Sequence, residues 1–179
     1  KFNIKSMEKQ ILQLLLDDNW RIKNACIDAI TRFTDNEKYA SILIELFENE
    51  NTDDIIKKAI CSAMSNIRSL QAFNFLIDTF IKHKDFKDIC FTGLLRFPKE
   101  FISEKTKDFD NLNEDGQLLI IHLIEKSETS IFDNFLINKL YTASDFVKYE
   151  IIMCIGALNR KKFINTLLPI AYPDKNIIK

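Results

Sequence analysis

The chain has 179 residues, 46% of them hydrophobic and 28% charged, with 25 basic side chains against 26 acidic ones and a net charge of −1. That is enough apolar material for a packed core, and the balanced charge gives no global field toward nucleic acid or an anionic membrane. Only three Gly and three Pro are present, too few for the turns of an all-β fold, and no apolar run reaches the ~18 to 20 residues that span a bilayer.

Taken in chain order, residues 6–16 carry apolar side chains at helical spacing and predict a first helix. Asp17 and Asp18 then precede a twelve-residue phrase, IKNACIDAITRF, from Ile22. The stretch 39–47 predicts a further helix, after which Thr52 and Asp53 introduce IKKAICSAMSNI from Ile56. Residues 72–81 and Asp85 lead into FKDICFTGLLRF from Phe86. Pro98 and the apolar-poor stretch 99–113 predict a short helix and a longer connection, followed by Asp115 and GQLLIIHLIEKS from Gly116. Residues 131–140, then Ser144 and Asp145, lead to VKYEIIMCIGAL from Val147, and 163–171 predicts one more helix. The last residues, Asp174 to Lys179, restate the opening of the phrase, with Ile178 lying 31 residues after Val147. Residues 1–179 are therefore expected to form a single repeat domain that is a fragment of a longer protein. Ending there would expose Phe163, Leu167 and Leu168, whereas terminal repeats normally present a polar cap.

The phrases start 34, 30, 30 and 31 residues apart. Self-similarity at such a period marks a repeat architecture in which each unit buries its apolar face only against its neighbours. The fifth, ninth and twelfth positions are mainly large and apolar, one face of a helix, and the eighth is usually small (Ala29, Ala63, Gly93, Cys154), as needed where a second helix approaches closely. The unit is thus an A helix, a turn, a B helix holding the phrase, and a turn, with Asp17 and Asp18, Thr52 and Asp53, Asp85, Asp115, and Ser144 and Asp145 as capping candidates. Cys26, Cys61, Cys90 and Cys154 fall inside the phrases without CxxC spacing and read as buried thiols, favouring a reducing, cytoplasmic setting or the cytoplasmic part of a larger protein.

Asp18 with Ile22-Lys23, Asp53 with Ile56-Lys57, Asp85 with Phe86-Lys87 and Asp145 with Val147-Lys148, each followed by the small and apolar positions above, resemble the HEAT-like helical repeats. They are most similar to the short repeats of phycobilisome lyase-type proteins, whose B helix opens with Asp, a short gap, Val-Arg and a run of Ala and Leu. The resemblance covers nearly the whole chain and implies an all-α, right-handed solenoid of about five helical hairpins with the B helices on the concave side. It also implies a polar ladder of Asp and basic residues between neighbouring repeats, weakest at Gln117. Such arrays are most often scaffolds that bind other proteins, a prior set by fold analogy.

No catalytic constellation assembles from the sequence. His83 and His122 stand apart from each other and from cysteine, and the His-Glu dipeptides by which HEAT-like hydroxylases hold two irons do not occur, so no cofactor or metal is expected. Arg32, Arg96 and Lys126 share the eleventh position of the phrase, a weak basic line. A DNA-repair protein of the alkylpurine glycosylase type would need a continuous basic stripe instead, and a chromophore lyase subunit would need a pigment-protein partner. The stronger deviation is apolar. Leu118, Ile121, Tyr149, Ile152 and Met153, with His122 among them, stand at outward positions where earlier units have Asn24, Asp28, Lys58 and Ser62. Contiguous exposed apolar residues mark contact surfaces, whereas a drift of register would make these residues core, and further repeats downstream would cover them. The expected function is a non-catalytic scaffold binding another protein along the B helices at those six residues.

Overall fold

A computed structural model describes residues 4–33 and 36–171, and among these the chain is helical throughout, with no strand. The phrases form α2 (Trp20–Ile30), α4 (Asp54–Met64), α6 (Lys87–Leu94), α8 (Glu114–Ser127) and α10 (Asp145–Leu158). The intervening segments form α1 (Ile4–Leu14), α3 (Asn36–Glu48), α5 (Leu70–Lys82), α7 (Lys99–Thr106), α9 (Asp133–Thr142) and α11 (Ile164–Ala171). Residues 174–179, with their restated opening, lie outside the described residues.

Helix starts follow from short polar side chains that satisfy orphan amides. Asn19 accepts from the Arg21 N–H, Ser69 from Ala72, Asn113 from Gly116 and Ser144 from Val147. The sequence expectation was right at Ser144 and off by one or two residues at α2 and α8, where Asn19 and Asn113 displace Asp18 and Asp115. Asp53 occupies the cap position of α4 without a side-chain bond to it. Asp85 lies inside a short 3₁₀ turn (Lys84–Phe86), one of three such turns that end on a buried phenylalanine: Phe86, Phe132 and Phe163. Phe163 is thus a core residue, while Leu168 of the last helix is 37% exposed.

Packing divides the chain into two compact units, Lys1–Phe97 and Pro98–Lys179. In the first, α1 packs on α2, α3 on α4 and α5 on α6, while α2 packs on α4, α4 on α6 and α3 on α5. Its core holds Leu43, Ile60, Met64, Phe73 and Leu76. In the second, α7 packs on α8, α9 on α10, and α8 on α10, around Ile120, Ile124, Leu136 and Ile151.

The phrase positions sort by burial as a 3.6-residue period requires. The fifth (Cys26, Ile60, Cys90, Ile120, Ile151) and the ninth (Ile30, Met64, Leu94, Ile124, Ile155) are buried in every phrase. The eighth is small because space is short: a Cβ built on Gly93 would stand 3.0 Å from Ser65 Cβ and 3.3 Å from Leu76 Cδ1. Leu123 breaks that pattern and is buried as well.

Polar bonds recur at the repeat period, joining equivalent places in successive hairpins. Lys38 bonds Glu8, Ser41 meets Gln71 at 3.2 Å, Arg96 donates to Asn66 at 3.3 Å, Lys139 reaches Asp110 at 2.6 Å and Ser144 donates to Glu114 at 3.4 Å. Arg160 makes the most buried of these links, donating to Asp133 Oδ1 and to the Glu128 carbonyl, while Lys162 meets Asp133 Oδ2 as an ion pair. At the second position of the phrases the side chains fold back on their own hairpin. Lys57 stands 5.6 Å over the Phe47 ring and Lys87 5.0 Å over Phe80, Gln117 donates to the carbonyls of Phe109 and Leu112, and Lys148 pairs with Asp145.

Candidate functional site

The outward face of the even helices is set by the third and seventh positions of the phrase, four residues apart and therefore on one side of the helix. In the first unit they are polar and exposed: Asn24 and Asp28 on α2, Lys58 and Ser62 on α4, Asp88 and Thr92 on α6. Between α2 and α4 they edge a shallow groove of about 270 Å³. In the second unit the same positions hold Leu118 and His122 on α8, and Tyr149 and Met153 on α10.

Tyr149 is 57% exposed and Met153 54%, and Phe146 beside them is 51% exposed. Phe146, Tyr149 and Met153 follow an i, i+3, i+7 spacing, so they form one apolar strip along α10. Ile152 lies at its edge, and Leu118 on α8 is half-buried. His122 Nε2 stands 3.5 Å from Glu150 Oε2, a polar link between α8 and α10 beside the strip.

Ile121 does not belong to this surface. It is fully buried, and its backbone carbonyl accepts from the Cys154 thiol at 3.8 Å. The reason is its place in the phrase: the sixth position is also buried at Ile27 and Cys61 and half-buried at Phe91, and it is exposed at Ile152 of the last phrase. Phe146 was missed by sequence reading because it stands before the first apolar residue of its phrase, where other units have Arg21, Ile55, Asp85 and Asp115. The exposed Ile55 of α4 was the one hint that this position can carry an apolar side chain outward.

The basic line is exposed, and each member bonds a near neighbour. Arg32 pairs with Asp28 at 2.8 Å, Arg96 donates to Ser65 and Asn66, and Lys126 pairs with Glu125 at 2.9 Å. All four cysteines are free and buried. Burial pushes the Cys154 thiol up to about 12, with Glu125 adding to it. The Cys90 thiol is raised by its hydrogen bond with Cys61 and by burial, and Cys26 by burial and then by Asp17. Nucleophilic work needs thiolate, which these surroundings suppress. Among the described residues no three His, Cys, Asp or Glu side chains converge as metal ligands would, and no helix is long and apolar enough to cross a membrane. No family model matches the chain, and no curated protein matches it in sequence.

Proposed function

We propose that the chain is a right-handed solenoid of HEAT-like hairpins that serves as a non-catalytic scaffold, binding another protein on the outward face of α8 and α10. The observation that carries this reading is the strip of Phe146, Tyr149 and Met153, half or more exposed on the face that is polar on α2, α4 and α6. An aromatic and methionine strip with a polar pair at its side has the composition of an interface centre, where a few such residues supply most of the binding energy. Support for the repeat architecture comes from the 30-residue spacing of the polar bonds and from the packing of alternate helices within each unit.

Site-specific photocrosslinking tests the surface. A photoreactive residue at Met153 is expected to give a discrete adduct with one protein in cells that express the chain, abolished by Tyr149→Glu, while the same probe at Asp28 gives none. No adduct at Met153, or the same adducts from both positions, would overturn the reading. Duplex DNA binding that weakens steeply with added salt would favour the glycosylase-type alternative instead. For the proposed architecture, a spherical particle in small-angle scattering is the contrary result.

A further inference from the structure

The odd helices of the first unit frame a cleft whose chemistry differs from that of the α10 strip. It runs between α3 and α5 and measures about 630 Å³, within the size range of ligand and peptide sites. Near the start of both helices Ser41 and Gln71 join the walls, and further along Phe47 and Phe75 meet edge to face with centroids 5.0 Å apart. The lining is apolar at Ile44, Phe47, Leu70 and Phe75, and Leu70 is well exposed. Three carboxylates, Glu37, Glu48 and Asp78, stand on its walls against one ammonium, Lys82. Glu37 and Glu48 are eleven residues apart on α3, which a helical rise of ~1.5 Å per residue makes about 16 Å. That length fits roughly five extended residues or three helical turns of an incoming chain.

We propose that this cleft docks a short basic and apolar segment of another protein, with large apolar side chains over Ile44 and Phe75 and Lys or Arg side chains beside Glu37, Glu48 and Asp78. The argument is charge complementarity around an apolar floor. An incoming apolar segment strips water from the three wall carboxylates, a loss that cationic side chains at the same places offset and acidic ones aggravate. The proposal stands apart from the α10 surface, since it rests on different helices and on carboxylates around its apolar floor.

Fluorescence anisotropy on the full chain tests it, with a labelled twelve-residue amphipathic Leu/Lys peptide as probe and its Leu/Glu counterpart as the contrast. The Lys peptide is expected to bind about tenfold or more tightly than the Glu peptide and to weaken with salt. The double substitution Glu48→Lys with Asp78→Lys, both at exposed positions, should reverse that preference, and Tyr149→Ala should leave it unchanged. Asp78→Lys alone, with helicity verified by circular dichroism, gives a milder form of the same reversal. Equal binding of both peptides, unchanged preference in the reversed variants, or loss of binding on Tyr149→Ala would each overturn the proposal.

Discussion

Gly93 and Gly156 both lie in even helices, and what surrounds each decides the sign of adding a methyl group. At Gly93 the new Cβ meets Ser65 Cβ at 3.0 Å, an atom fixed to its own backbone that cannot swing aside. Gly93→Ala should therefore destabilise by about 1 to 3 kcal/mol from overpacking, despite a helix-propensity gain of about 0.5 to 1 kcal/mol. At Gly156 no neighbour stands within 4 Å, so Gly156→Ala should stabilise by that propensity gain alone. Urea unfolding of the two variants checks the pair, and equal stabilities would mean that α6 does not press on α4 as the geometry requires. The buried thiols make a further prediction. An unfolded cysteine ionises near about 8.5, while Cys154 in the fold holds its proton to about 12. Above pH ~8.5 the unfolded chain binds fewer protons than the folded one, so stability is complete below that pH and falls as pH rises toward the folded value. The slope is up to roughly 1.4 kcal/mol per pH unit for each such thiol. Urea titrations at pH 9 and pH 10 should show the decline, and Cys154→Ala, whatever its packing cost, should flatten it.

Helix by helix, the period of the phrase was enough to place α2, α4, α6, α8 and α10, because a buried column every three or four residues is a property of sequence alone. The caps were less legible, since Asp, Asn and Ser all cap and several stand together at each boundary; which one is used depends on where the incoming chain turns. Asn19 wins over Asp18 in this way, with Asp17 accepting the Asn19 N–H at 2.7 Å and so shaping the turn rather than the helix end. The geometry ranks these caps energetically. Ser69, nearly buried, accepts from Ala72 at 3.1 Å, and Ser69→Ala should cost about 1 to 2 kcal/mol, whereas Asp53→Ala, with no cap bond to lose, should cost about 0.5 kcal/mol or less. Thermal unfolding of both variants decides it, and an equal loss would point to a cap at Asp53 made in solution. The candidate surface was readable in the same partial way. Tyr149 and Met153 follow from their columns, and Ile121 was misassigned because it was compared with Asn24 and Asp28 rather than with Ile27 and Cys61 of its own column. The α3–α5 cleft had no sequence signal at all, since it depends on how far two helices stand apart.

Across the whole chain, each compact unit has a core of its own, and this shapes how a lesion should spread. On the proposed repeat architecture, stability comes mainly from each hairpin and its nearest neighbours, so loss of one buried side chain is felt first by the helices that touch it. Ile124 is fully buried on α8, within the second unit, where α8 packs on α7 and α10. Truncating it to Ala should cost about 2 to 5 kcal/mol, as buried large-to-small changes do when the surroundings relax only in part. Hydrogen exchange followed by mass spectrometry should then show protection lost in α8 and α10 while α2 and α4 keep theirs. Met64→Ala, at an equally buried position on α4, should produce the converse pattern, with α2, α4 and α6 opening first. Were both variants to lose protection uniformly from α2 to α10, the two cores would be one cooperative body, and the nearest-neighbour description would fail for this chain.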